Sequence, residues 1–209
     1  MPLVYQQNIN EYTRLGVWHI TEEEPFFLEK VVLQNEITHP HKRLQHLAGR
    51  YVLQALFPDF PLELIRVADT RKPFLPGEKY HFSISHCSDY AAVIVSTKNR
   101  VGVDIELPQE KIERIKYKYL TEAEMQLVLS LPAVPLDALT MAWSIKEAMF
   151  KWYGNGKVDF RQNMIIRKIT ANDFAFSADC LFSKEEDWPV RVNALMFNGI
   201  SLAFLITDF

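Results

Sequence analysis

Cysteine is scarce in this chain. Only Cys87 and Cys180 occur among 209 residues, and neither belongs to a C-x-x-C pair. The simplest reading is a reduced, cytoplasmic protein. Long apolar runs are missing as well: Tyr90-Ala91-Ala92-Val93-Ile94-Val95 falls far short of the roughly 20 residues that a membrane helix requires, so no membrane contact is expected. No basic N-terminal region precedes an apolar core, and no secretory signal is read. Basic charge is not in excess either. Lys and Arg number 23 against 26 Asp and Glu, a formal net charge of −3, which excludes a broad nucleic-acid surface. What remains is ordinary globular material, 48% hydrophobic and 23% charged, able to bury a core.

Periodicity and punctuation outline an α+β chain. Residues 15–20 read as a strand, and Thr21-Glu22-Glu23-Glu24 as a capping box opening a helix through about Asn35. A second helix is expected from His41 to Phe57, with Leu44, Leu47, Ala48, Tyr51, Val52 and Ala55 on its apolar face and Pro58 and Pro61 beyond it. Strands follow near 63–68, 80–85, 90–96 and 101–106. Pro108 opens a helical stretch, and Thr121-Glu122-Ala123-Glu124 is another capping box, its helix broken by Pro132 and Pro135. A long helix covers Asp137 to Tyr153, ended by Gly154-Asn155-Gly156, and strands follow at 164–170, 173–178, 189–196 and 200–207. Each half thus runs from a long helix to an apolar ribbon. That outline suggests two similar lobes, 1–106 and 107–209, each a helix packed on an antiparallel sheet, joined as a pseudodimer.

Two segments carry the chemistry. In Gly102-Val103-Asp104-Ile105-Glu106, alternation on a strand puts Asp104 and Glu106 on one face. In Trp143-Ser144-Ile145-Lys146-Glu147-Ala148-Met149-Phe150-Lys151, Glu147 and Lys151 share one helical face. Three carboxylates and a lysine from two elements suit a divalent cation with a phosphate ligand. Plainer readings stand beside this one: a solvated strand face, and a surface ion pair worth about 0.3–0.5 kcal/mol.

GVDIE followed by WSIKEAMFK resembles the signatures of the surfactin-type 4'-phosphopantetheinyl transferases, which move the phosphopantetheine arm of coenzyme A onto a serine of a carrier protein. Arg71-Lys72-Pro73-Phe74 looks like that family's K-P segment, and Phe82-Ser83-Ile84-Ser85-His86 like its F-[NS]-[IL]-S-H segment. The resemblance runs from about residue 38 to the C-terminus. It implies a two-lobe pseudodimer and magnesium held by Asp104, Glu106 and Glu147, with Lys151 on phosphate, while Lys146 faces either the coenzyme or simply solvent. It also implies that His86 contacts the 3'-phosphate of coenzyme A, with Ser85 and Lys72 near the phosphates. Arg71 replaces a glycine of the pattern. Of the early-helix basic residues, Arg43 is the choice for the 3'-phosphate, while Arg50 reads as an ion-pair partner. Taken alone, His86 is an ordinary histidine, and Arg71 and Lys72 are turn residues. Glu124 has two readings: the capping box accounts for it, and the resemblance makes it the general base. His39 and His41 alternate, but no cysteine or further histidine supports a metal role there.

The function expected is therefore a magnesium-dependent transfer of 4'-phosphopantetheine from coenzyme A to an acyl or peptidyl carrier protein, releasing adenosine 3',5'-bisphosphate, by a monomer. Its rivals are a non-catalytic coenzyme A-binding module and a magnesium-dependent nucleotide hydrolase. The stretch Lys111, Arg114, Lys116, Lys118 is either a solvated helical face or a surface for an acidic carrier.

Overall fold

Two prolines open the two long helices. Pro40 is the first residue of α2 (Pro40–Leu56) and Pro135 the first of α6 (Pro135–Tyr153), where a missing N–H costs nothing. His39 caps α2 by accepting from the Lys42 N–H at 3.4 Å. The helix opened at Thr121 ends at Leu129, ahead of Pro132 and Pro135 as expected, and the long helix starts at Pro135 rather than at Asp137.

The computed structural model describes residues 2–33, 36–77, 79–172 and 175–208. It divides into two units, Met1–Val101 with Asp208–Phe209, and Gly102–Thr207.

In the first unit, strands β1 (Leu3–Asn8), β2 (Thr13–His19), β5 (His81–Cys87) and β6 (Tyr90–Ser96) form an antiparallel sheet in the order β1-β2-β6-β5. Helix α2 lies on it, burying Leu47, Val52, Leu53 and Leu56 with Trp18, Phe27, Phe82, Val93 and Val95. Each such side chain contributes about 1.5–3 kcal/mol by leaving water. The short ribbon β3 (Arg66–Val67) with β4 (Pro73–Phe74) replaces most of the strand expected over 63–68. The helix expected from Thr21 is only α1 (Glu24–Leu28), and its expected end, Asn35, lies outside the described residues. The reason is Pro25. A helix capped at Thr21 would need the Pro25 N–H for its first internal bond, so the start moves to Glu24 and Glu22 accepts from the Trp18 indole instead.

The second unit is a five-stranded sheet in the order β7-β11-β10-β9-β8. Strands β8 (Met164–Asn172), β9 (Ala175–Ser183), β10 (Asp187–Phe197) and β11 (Ile200–Thr207) pair antiparallel in succession, and β7 (Arg100–Glu106) is the edge beside β11. Residues 173 and 174 of the strand expected from 173 lie outside the described residues. Between β7 and α6 come α3 (Glu110–Arg114), α4 (Lys116–Tyr119) and α5 (Glu122–Leu129). Helix α6 covers the sheet, with Met141, Ile145, Met149 and Trp152 in a core shared with Val192, Ala203 and Leu205. The architecture is mixed α+β, a long helix on an antiparallel sheet in each unit. No helix among the described residues is long and apolar enough to cross a membrane.

One contact sets the distance between β7 and α6. A Cβ on Gly102 would stand 2.3 Å from the Ala148 carbonyl oxygen and 2.8 Å from the Trp152 backbone nitrogen. Backbone atoms cannot rotate aside. Gly102→Ala is therefore expected to cost about 1–3 kcal/mol or more as α6 is forced off the strand. Urea denaturation measures this, and an unchanged midpoint would contradict the close approach.

Candidate active site

Strand alternation places Asp104 and Glu106 on one face of β7, and helical periodicity places Glu147 and Lys151 on one face of α6. The Gly102 contact holds the two elements together, and Lys151 Nζ donates to Asp104 Oδ1 at 2.7 Å across the gap. Asp104 is only 4% exposed. The carboxylates feel one another. Burial first, then the charge of Asp104, pushes the Glu147 carboxyl up to about 7, with Lys151 opposing and Glu106 adding. Glu106 is raised by burial, while the Leu107 N–H holds it down at 3.1 Å and Asp104 pushes it up. Among the described residues, no three His, Cys, Asp or Glu side chains stand close enough together to hold a metal ion as they are placed. What the geometry gathers is a cluster of three carboxylates with one ammonium in it.

Lys146, beside Glu147 in sequence, points elsewhere. It is fully buried, and its ammonium donates to the Tyr119 carbonyl at 2.6 Å, the Phe160 carbonyl at 2.9 Å and Glu124 Oε1 at 2.7 Å. A lysine has three donors, so none is left for a phosphate. The expectation that Lys146 faces the coenzyme is corrected by this geometry. Burial draws its pKa down, with Glu124 holding it up.

Glu124 is equally committed. Its Oε2 accepts from the Thr121 N–H at 2.7 Å and the Thr121 hydroxyl at 2.9 Å, which completes the capping box of α5. Its Oε1 accepts from the Ile166 N–H at 2.8 Å besides Lys146. One carboxylate thereby ties α5, α6 and β8 together. Trp143 stacks on Phe160 at 5.5 Å and meets Tyr119 edge-on at 5.0 Å, closing the same region.

The remaining predicted residues lie in the first unit. Arg43 is occupied: Nε donates to Glu24 at 2.8 Å and Nη1 to the Ile37 carbonyl at 2.9 Å, fastening α1 to α2. Its expected phosphate contact would have to displace that pair. Ser85 is buried and His86 exposed, on opposite faces of β5. Lys72 is half-buried, and burial with the nearby Arg100 charge lowers it to about 8. Arg71 is exposed and left-handed at φ 67°, in a turn closed by its N–H on the Ala68 carbonyl at 2.8 Å. The Glu124–Lys146 pair escaped sequence reasoning as a pair. Its signal was the Lys146 position, which falls on the buried side of α6, opposite Lys151.

The profile of the 4'-phosphopantetheinyl transferase superfamily matches residues 100–204, which hold all of Asp104, Glu106, Glu124, Lys146, Glu147 and Lys151. Enterobactin synthase component D of Escherichia coli O157:H7 is 31% identical over 113 residues, 53% of this chain and 54% of that protein. A putative 4'-phosphopantetheinyl transferase of Haemophilus influenzae is 28% identical over 125 residues, 57% of this chain and 53% of that protein. The 4'-phosphopantetheinyl transferase AcpT of Salmonella typhimurium is 28% identical over 116 residues, 54% of this chain and 60% of that protein. The chain thus spans about half the length of the curated relatives it matches. With half of its 209 residues matched to the family and the carboxylate cluster inside that span, the chain belongs to the 4'-phosphopantetheinyl transferase superfamily.

Proposed function

We propose that this chain transfers 4'-phosphopantetheine from coenzyme A to a serine of an acyl or peptidyl carrier protein, as a magnesium-dependent, surfactin-type enzyme. The observation that carries the proposal is the cluster of Asp104, Glu106 and Glu147 closed by Lys151. The donor set fits the ion. All three donors are hard carboxylate oxygens, and after burial it is the charges of Asp104 and Glu106 that raise Glu147. Asp104, Glu106 and Glu147 would hold magnesium, which when bound withdraws charge from the substrate diphosphate. The relatives named as 4'-phosphopantetheinyl transferases support the reaction class. We further read the two units as halves of a pseudodimer, working as a monomer in the cytoplasm.

In this reading the residues of the chain chiefly position and neutralise. Lys151 carries its ammonium at the cluster and takes up charge from the phosphates. Lys72, Ser85 and His86 hold the nucleotide end, with Arg71 in the turn beside them. The serine oxygen bonds to the phosphorus that bears the pantetheine arm. The bond from that phosphorus to the bridging oxygen breaks, and adenosine 3',5'-bisphosphate leaves. The serine proton passes to solvent or to a carboxylate of the cluster. Glu124 has four partners and no face open to solvent, so we assign it with Lys146 to holding the helices in register.

Asp104→Ala tests the reading. Transfer, followed by mass spectrometry as the gain of one phosphopantetheine on an apo carrier protein, should fall by roughly 10²–10³-fold, the scale of lost electrostatic stabilisation. The melting temperature should hold, because removing one of three clustered carboxylates relieves repulsion. Near-parental turnover in magnesium would dismiss the site.

The buried pair gives a second test. Glu124→Gln leaves Lys146 without its counter-charge and should cost about 3–5 kcal/mol of stability. Adding Lys146→Met should recover a large part of that loss, a coupling visible in a double-mutant cycle. A Glu124→Gln protein with parental stability and abolished turnover would instead make Glu124 the base.

A further inference from the structure

The turn that joins β5 to β6 has a shape its own residues do not favour. Cys87 pairs with Tyr90, so Ser88 and Asp89 alone make the connection, and Ser88 is left-handed at φ 43°. Left-handed backbone at the first position of such a turn is a place for glycine. The β10–β11 turn shows the contrast: there the left-handed pair is Asn198-Gly199, a combination that tight hairpins prefer. A serine keeps this conformation only where its surroundings over-determine it.

Those surroundings are two side chains of α2. Gln45, 7% exposed, donates from Nε2 to the Ser88 carbonyl at 2.7 Å. His41, one helical turn earlier, sets its Nε2 at 3.0 Å from the same oxygen. A carbonyl oxygen accepts twice, and with its proton on Nε2 the His41 ring is the second donor. The 3.1 Å between Gln45 Nε2 and His41 Nε2 is then the spacing of two donors on one acceptor. Beside them the Asp89 carbonyl accepts from the Ile20 N–H at 2.7 Å, and Asp89 Oδ1 stands 3.8 Å from His41 Nδ1. The helix imposes the shape of the turn.

The consequence falls on β5. That strand already meets α2 at its middle, where a Cβ on Gly49 would come within 2.9 Å of Ile84 Cγ2. One turn back along the helix, Gln45 grips the strand's end. His86 stands between these two contacts, near enough for its charge to act on His46. We propose that Gln45 and His41 are positioning residues, which clamp the Ser88 turn to α2 and thereby fix where His86 is presented. The clamp belongs to the first unit by itself. Its effect on coenzyme A rests on the transferase reading, in which His86 holds the nucleotide end.

Three variants of the full chain test this: Gln45→Leu, Ser88→Gly and the two combined. Gln45→Leu removes the buried donor, whereas Ser88→Gly lets the turn keep its shape unaided, because glycine is left-handed without strain. In nuclear magnetic resonance spectra, Gln45→Leu should move the His86 ring signals in the parent but hardly in the Ser88→Gly background. In transfer assays, Gln45→Leu should raise the KM for coenzyme A by about three- to tenfold, the scale of one lost hydrogen bond, with kcat nearly unchanged. Ser88→Gly alone should match the parent, and the combined variant should regain most of the loss. If Gln45→Leu fails to fold, His41→Ala, at an exposed position, makes the same comparison. A raised KM that Ser88→Gly does not rescue would make Gln45 a direct ligand contact and overturn the proposal. Unmoved His86 signals, or a parental KM in Gln45→Leu, would overturn it as well. A parent that transfers no phosphopantetheine defeats the transferase reading instead, and the His86 signals still decide the clamp.

Discussion

Like charges gathered out of water repel, and the second unit gathers three. Asp104 is buried, Glu106 and Glu147 half-buried, and each raises or feels the others. Left alone, such a cluster would drive β7 and α6 apart or stay protonated. The Lys151–Asp104 contact is the internal answer, at 2.7 Å. It does not satisfy the cluster fully, because Glu147 is still raised to about 7.

Holding that cluster requires rigid supports, and they are steric and ionic. Gly102 admits the backbone of α6 where any side chain would collide. On the far side of the same helix, Lys146 is anchored to two carbonyls and to Glu124, which in turn holds the first turn of α5 and the start of β8. Neighbouring residues of one helix thus divide the work. Lys146 fixes the register of α6 against the core, and Glu147, next to it in sequence, is presented to the cluster.

Much of this was legible in the sequence where the signal is local. The capping box at Thr121 formed as its spacing implied, and both long helices ran close to their periodic bounds. Strand alternation and helical spacing put the three carboxylates and Lys151 on facing surfaces. What failed to show was non-local or depended on one proline. Pro25 moved the start of α1 off its apparent cap, and Pro135 opened the long helix two residues ahead of its expected start at Asp137. Lys146 and Glu124 were each visible as charges, but nothing local says that they meet. His46 carried no pattern at all, because what sets it apart is one ring nitrogen, Nε2, buried without a partner inside the fold.

The electrostatic state of Glu147 joins these strands of the account, since it reports burial, the neighbouring carboxylates and any cation at once. Carbon-13 labelling of the glutamate carboxyl groups, with Glu147 assigned through Glu147→Gln, follows its titration directly. Without magnesium its midpoint should lie near 7. Saturating magnesium chloride should move it well into the acidic range, because a bound cation favours the carboxylate over its protonated form. A midpoint at the ordinary glutamate value of about 4.3, unmoved by magnesium, would contradict the account.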